Sequence, residues 1–222
     1  MLYELSSKVI LLLLRVPAVS SALTWFSKVW LRHARIARHL RAASYDGIID
    51  GGANIGEFSG LARMVCPSTP LVCVEPHPPS ASVLRRRGFN VIEAALWRDN
   101  GRLVLNQVTD ASTSCTVTSG GEASRPSWEV KAIRLDSLSV TGRNLFIKLD
   151  LQGAEPQALE GLGALWDRVG GFLVEVSYGA GGTYERLRAL LASQGFDEAA
   201  TFNELEDHRQ PVEADKLWLR RR

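Results

Sequence analysis

A chain of 222 residues is long enough for one α/β domain with a full core, and its apolar and charged fractions, 45% and 23%, exclude disordered and fibrous classes. Cys66, Cys73 and Cys115 show no paired spacing, so they read as free thiols of a reducing, cytoplasmic compartment and not as a zinc or disulfide framework. The formal charge of +2 hides an asymmetry: residues 5–45 carry Lys8, Arg15, Lys28, Arg32, Arg35, Arg38 and Arg41 and no acid, which leaves the remainder at −5.

The run Val9-Ile10-Leu11-Leu12-Leu13-Leu14 is too short to span a bilayer and is stopped by Arg15 and Pro17. It is also a short core for a cleavable signal, and no clear small-residue cleavage site follows it. Leu23 to Arg41 reads as a basic amphipathic helix, with Arg32, Arg35, Arg38 and Arg41 at spacings of three and Trp25, Phe26, Val29, Trp30 and Ile36 as apolar material. Two roles stay open for it. It either makes peripheral contact with an anionic membrane or acidic partner, or it packs on the following domain with a solvated arginine face. Nucleic acid is not an expected partner, since the rest of the chain is acidic and carries no recognition motif. Residues 1–44 are thus expected to form a helical segment of their own, and residues 45–222 one domain.

From Tyr45 the pattern alternates strand and helix, which predicts a doubly wound, mostly parallel sheet covered on both faces. Gly47 to Asp50 is the first strand and Gly56 to Val65 its helix. Leu71 to Glu75 is the second strand, Pro78 to Arg87 a helix stopped by Gly88, and Phe89 to Glu93 the third strand. Simple alternation then breaks. Arg102 to Val108, Ser114 to Thr118 and Trp128 to Arg134 are β-prone runs separated by glycine turns, which predicts an antiparallel insertion after the third strand. Asn144 to Asp150 is a fourth strand, Glu155 to Leu162 a helix, Gly171 to Val176 a fifth strand and Tyr184 to Gln194 a helix. Phe196 to Thr201 and Lys216 to Arg220 close the sheet as a hairpin, with Phe202 to Asp215 as a loop at the edge where the other strands end.

The chemistry gathers at that edge. Asp50-Gly51-Gly52-Ala53-Asn54-Ile55-Gly56 follows a buried strand and opens a helix, the architecture of a nucleotide-type cofactor site. Gly52 and Gly56 permit a tight turn and close backbone approach, and Asn54 tolerates a left-handed conformation. Asp50 would repel a pyrophosphate and suits a ligand carrying positive charge, such as S-adenosylmethionine with its amino group and sulfonium. Glu75, 19 residues beyond Gly56 at the end of the second strand, is placed to accept hydrogen bonds from ribose hydroxyls. Lys148 and Asp150 share one face at the end of the fourth strand, where a carboxylate can bind an amino group or act as general base. Glu155 either joins that site or starts the next helix through Glu155-Pro156. His77 is a candidate flank for an adenosine, and His208 in the final loop a candidate base.

The ordered stretches DGGANIGEFS from Asp50, VEPHP from Val74, IRLDSL from Ile133, IKLDLQGAEPQALEG from Ile147 and FLVEVS from Phe172 resemble the motifs of the FkbM-type family of S-adenosylmethionine-dependent methyltransferases. The resemblance covers about Gly47 to Ser177 and implies a class I methyltransferase sheet, ordered 3-2-1-4-5-7-6 with an antiparallel seventh strand. It implies methylation of a hydroxyl on a sugar, glycan, glycolipid or polyketide-type acceptor. It carries cofactor binding onto Asp50, Gly51, Gly52, Asn54, Gly56 and Glu75, and active-site placement onto Lys148, Asp150 and Glu155. The chain departs from the family's pattern at Gln152, where an acid is usual, which removes a charge and argues against a metal. Two other functions make different demands on the sequence. A nicotinamide-dependent reductase would need a Tyr-x-x-x-Lys pair, and the nearest match, Tyr184 to Arg188, has arginine after the fifth strand; a non-catalytic adaptor would need a degenerate motif set, whereas this one is intact.

Overall fold

The computed structural model describes residues 35–107, the backbone of 115–118, and residues 126–208 and 210–221. The apolar run at Val9 and the part of the basic helix before Arg35 lie outside the described residues. Its remaining stretch is a helix over residues 35–42, α1. Ile36, Ala37 and Leu40 are buried while Arg35, Arg38 and Arg41 are exposed, so these three arginines lie on the outer side of a packed helix.

The central sheet has seven strands: β1 (Gly47–Gly51), β2 (Leu71–Val74), β3 (Asn90–Ile92), β8 (Leu145–Leu149), β9 (Val169–Ser177), β10 (Phe196–Asp207) and β11 (Gln210–Arg220). Their order is β10-β11-β9-β8-β1-β2-β3. β1 pairs in parallel with β2 and β8, and β11 runs antiparallel to both β9 and β10. With the inserted strands set aside, this is the expected order 3-2-1-4-5-7-6.

The inner strands are apolar on both faces because helices cover both, which removes the alternation a half-exposed strand would show. Ile48, Phe146, Leu173 and Leu217 pack against α1 and against Phe58, Leu61, Ala62 and Val65 of α2 (Glu57–Val65). Their chain neighbours Ile49, Ile147, Val174 and Trp218 face the other way, onto α4 (Glu155–Glu160) and α5 (Tyr184–Ser193) through Ala158, Leu159, Leu187 and Leu191. The remaining helix, α3 (Pro78–Arg86), seats Leu84 against Cys73 beside α2.

The expected insertion is a second sheet, in the order β4-β7-β5-β6, of β4 (Ala95–Leu96), β5 (Gly101–Gln107), β6 (Cys115–Thr118) and β7 (Ser127–Ile133). β5 is antiparallel to β6 and β7, and β4 pairs with β7 in parallel. The short two-residue β4 was not among the expected strands.

One expectation is corrected. Phe202 to Asp215 is not an open loop, because β10 and β11 continue as a hairpin to Asp207 and Gln210. Its polar sequence shows no apolar alternation, since beyond Glu213, the last β11 residue in register with β9 before the tip, the two strands pair with each other and touch the β9 end through the Val212 carbonyl, which accepts the Tyr178 amide at 3.0 Å. Register shifts near Phe202 and Leu205 and a positive φ at Asn203 (50°) and His208 (48°) mark its bulges and turn. Among the described residues, no helix is long and apolar enough to cross a membrane.

Candidate active site

At the C-terminal ends of the parallel strands lies a cavity of about 420 Å³, within the range of small-molecule sites. One wall is the turn between β1 and α2, with Gly52, Ala53, Asn54 and Ile55 along it. Gly52 (φ 69°), Asn54 (φ 47°) and Gly56 (φ 91°) are all left-handed, so each part of the turn uses a residue that tolerates that conformation. A Cβ at Gly52 would stand 1.9 Å from the Asp150 carbonyl oxygen, and one at Gly56 would stand 2.7 Å from Leu84 Cδ2. The turn is therefore pressed against the end of β8 on one side and against α3 on the other.

Glu75 ends β2 beside this turn. Its Oε2 accepts the Asn54 amide at 2.7 Å and its Oε1 accepts the His77 amide at 2.8 Å, so the carboxylate ties the turn to the chain leaving β2. It also lines the cavity while only 6% exposed. Burial pushes its carboxyl up to about 7, against the opposing pull of those two amides. Beyond it the wall is apolar, formed by Ala94, Ala95, Leu96 and Leu105, so the inserted sheet closes this end of the cavity. A carboxylate next to an apolar slot suits a ribose followed by a flat base.

Lys148 stands at the centre. Its ammonium lies 3.4 Å from Asp50 Oδ1 and 3.4 Å from Asp150 Oδ2, and it donates to the Gly52 carbonyl at 3.0 Å. Burial alone would lower its pKa, but Asp150, Asp50, Asp215 and Glu175 together outweigh burial and raise it, so the side chain stays charged. It thereby joins the glycine turn to β8 and presents one face to the cavity.

Asp150 and Gln152 line the cavity next to it. The Gln152 backbone is left-handed (φ 54°), which turns its side chain back. Its amide donates to Asp150 Oδ1 at 3.2 Å and to Glu175 Oε2 at 2.8 Å, so one neutral group bridges two acids. An acid at position 152 would crowd a third negative charge into the same space.

Several site residues expected from sequence sit elsewhere. Asp50 is fully buried and outside the cavity wall; it accepts the Ser59 hydroxyl at 2.5 Å and faces Lys148. Burial pushes its carboxyl up, with Lys148 and Ser59 holding it back. Its charge thus acts from beneath the turn. Gly51 and Gly56 shape the turn without lining the cavity, and a Cβ at Gly51 would meet Leu96 at 2.7 Å. Glu155 folds back to accept the amides of Leu151 (2.7 Å) and Gly153 (3.2 Å), which fixes the loop at the start of α4, the helix-starting role left open for it. Burial pushes its carboxyl up to about 7.

Neither histidine reaches the cavity wall. The His77 ring is buried edge-on against Trp128 and hydrogen-bonded to Ser80 at 2.8 Å. His208, with 95% of its side chain exposed at the hairpin tip, pairs only with Asp207 among the described residues. The Tyr184 and Arg188 pair is likewise elsewhere: the Tyr184 hydroxyl donates to Glu198 and the Arg188 guanidinium donates to Glu185. Sequence reasoning also missed Glu175, Glu213 and Asp215, which line the cavity opposite the glycine turn. Glu175 lies within FLVEVS, and acid at alternate positions of β11, Glu213 and Asp215, is the signal that could have marked the other two.

A family model described as a methyltransferase FkbM domain matches residues 50–198, well over half of the chain. No curated protein matches it in sequence. Among solved structures, a methyltransferase FkbM from Methylobacillus flagellatus KT is similar at TM-score 0.53 and 16% identity; the match covers 79% of this chain and 43% of that one, so this chain spans less than half its length. Magnesium protoporphyrin IX methyltransferase from Synechocystis PCC 6803, solved with bound SAM, is 9% identical over 91% of this chain and 92% of its own, at TM-score 0.47. A precorrin-6y C5,15-methyltransferase from Geobacter metallireducens GS-15 is 12% identical over 83% and 85%, also at 0.47. The family match spans the glycine turn, Glu75, Lys148, Asp150 and Glu175, whereas Glu213 and Asp215 of the cavity wall lie beyond it. The chain belongs to the FkbM family of S-adenosylmethionine-dependent methyltransferases.

Proposed function

We propose that this protein methylates a hydroxyl oxygen of a sugar, glycan, glycolipid or polyketide-type acceptor. The observation that carries the reading is Asp150, a carboxylate in the cavity wall with an ammonium at 3.4 Å, whose own backbone carbonyl is packed against Gly52 of the glycine turn. Bound S-adenosylmethionine supplies a methyl already activated by its sulfonium. What remains for the chain is to hold the donor, align an oxygen and take up a proton.

The residues divide that work by position. Asn54 and Glu75 fit the ribose side, and Ala94, Ala95, Leu96 and Leu105 exclude water around the base. Asp150 accepts the hydroxyl proton through the oxygen facing Lys148. Lys148, fixed by Asp50 and the Gly52 carbonyl, orients that carboxylate and offsets the negative charge on the acceptor oxygen as the proton leaves. His208 takes no part, being exposed at the hairpin tip.

Asp150→Asn is expected to lower methyl transfer by about 10²–10⁴-fold, the usual range for loss of a general base, while donor affinity changes far less. Transfer of labelled methyl to a panel of hydroxylated glycans and lipids, with mass spectrometry of the linkage, checks both points. Full activity in Asp150→Asn, or a methyl found on nitrogen or carbon, would refute the reading.

A further inference from the structure

Asn54 and Glu75 belong to a closed circuit of hydrogen bonds that runs through the start of α3 and back to the glycine turn. Glu75 accepts the backbone amides of Asn54 (2.7 Å) and His77 (2.8 Å). The His77 ring meets Ser80 Oγ through Nδ1 at 2.8 Å, and the Ser80 hydroxyl donates to Asn54 Oδ1 at 3.2 Å. His77 and Ser80 are both buried, and Trp128 of the inserted sheet lies edge-on to the His77 ring at 4.7 Å and 79°, which fixes the plane of the ring.

Such a circuit has a direction. Burial lowers the pKa of His77, so at neutral pH the ring is neutral and carries one proton, on Nδ1 or on Nε2. The Ser80 hydroxyl has a single proton, which goes to Asn54 Oδ1, so the bond between His77 and Ser80 is donated by Nδ1–H. The Asn54 amide nitrogen is then left over. It makes no hydrogen bond with a described residue, and Asn54 lines the cavity. With the proton on Nε2 instead, Ser80 would donate to His77, and Asn54 would have to turn its nitrogen to Ser80 and its carbonyl away from it.

We propose that His77 is a positioning residue for donor binding: its Nδ1–H, relayed by Ser80, holds Asn54 so that the amide NH2 faces the ribose of the methyl donor. The proposal rests on the cavity being the donor's seat. Ribose hydroxyls give their protons to the Glu75 carboxylate, and their oxygens still accept. An NH2 beside Glu75 meets that need, whereas a carbonyl there would compete with Glu75 for the same protons. His77 itself stands outside the cavity wall and acts only through Ser80 and Asn54.

Substitution can keep or move the donor at Nδ1. Asparagine puts an amide nitrogen near the Nδ1 position of histidine and glutamine puts one near Nε2, while both give up the ring against Trp128. Calorimetric titration of the full chain with S-adenosylmethionine is expected to show His77→Asn within about threefold of wild type, and His77→Gln and Ser80→Ala about tenfold weaker. Nitrogen-15 spectra of the ligand-free wild type, with His77→Asn identifying the ring signals, are expected to place the proton on Nδ1. A proton on Nε2, equal affinities of the two His77 variants, or wild-type affinity in Ser80→Ala would each overturn the proposal. A role in packing alone would move the two His77 variants together. Cooperative thermal unfolding shows that each variant is folded. Donor binding that ignores both Glu75→Gln and Gly52→Ala would remove the donor's seat instead, and the ring spectra would still decide the tautomer.

Discussion

Lys148→Met is expected to lower the free energy of unfolding by about 3–5 kcal/mol, the usual cost of stranding one partner of a buried ion pair. Asp50 is fully buried, and with Lys148 gone only Ser59 would remain to hold its charge. The sign with pH follows. Burial already pushes the Asp50 carboxyl above its ordinary value, so its contribution to stability is present at low pH and is lost as pH rises through the shifted pKa. The deficit of Lys148→Met should therefore be larger at pH 8 than at pH 5. Adding Asp50→Asn should restore part of it, because the pair is coupled. Urea unfolding of wild type, Lys148→Met and the double variant at both pH values checks this; a loss under about 1 kcal/mol at pH 8 would mean that Lys148 does not support the turn.

The second large effect is at Gly52. Alanine there would place its Cβ 1.9 Å from the Asp150 carbonyl oxygen and 2.9 Å from the carbonyl carbon, in a backbone at φ 69°. Backbone cannot yield as a side chain end does, so the turn must move off β8. We expect donor affinity to fall about 100-fold or more, which corresponds to about 2.7 kcal/mol. Gly153→Ala is the matched comparison. Gly153 is also left-handed, at φ 97°, but nothing lies within 4 Å of its added Cβ. It should cost only the conformational strain of about 1–2 kcal/mol in stability. Calorimetry with S-adenosylmethionine separates the two, and equal affinities would show that crowding at Gly52 is unimportant.

Sequence legibility followed the physical period of each signal. β1, β2, β8 and β9 are continuous apolar runs between glycines and prolines, and the turn, Glu75, Lys148 and Asp150 stand at their ends, where strand chemistry is read directly. β10 and β11 were legible only where they touch the sheet. Beyond Glu213 they pair with each other, and polar side chains leave no period to read. Asp50 shows a different limit. Its charge and place in the chain are plain, but alternation along β1 cannot reveal that the carboxylate lies beneath the turn, bonded to Ser59 nine residues later. The same holds for Gln152. Its substitution for an acid was visible, whereas the bridge from Asp150 to Glu175 depends on a left-handed backbone that only the fold supplies. Glu175, Glu213 and Asp215 come together through an antiparallel register, a long-range property.

The cavity between the glycine turn and β8 is the proposed seat of the methyl donor, with Glu75 on its ribose. With the Glu75 carboxyl at about 7, its contribution to the stability of the ligand-free protein is present below the ordinary carboxylate range and is lost as pH rises through 7. Donor binding runs the other way. Ribose hydroxyls donate to an ionised carboxylate, so binding must expel the proton wherever it is present. Calorimetric titration of S-adenosylmethionine into wild type and Glu75→Gln at pH 6 and pH 8 tests the claim most directly. Wild type should bind about tenfold tighter at pH 8, with proton release near pH 6, and Glu75→Gln should bind at least about 100-fold more weakly at pH 8 with no pH dependence. A Glu75→Gln protein that binds like wild type at both pH values would contradict it.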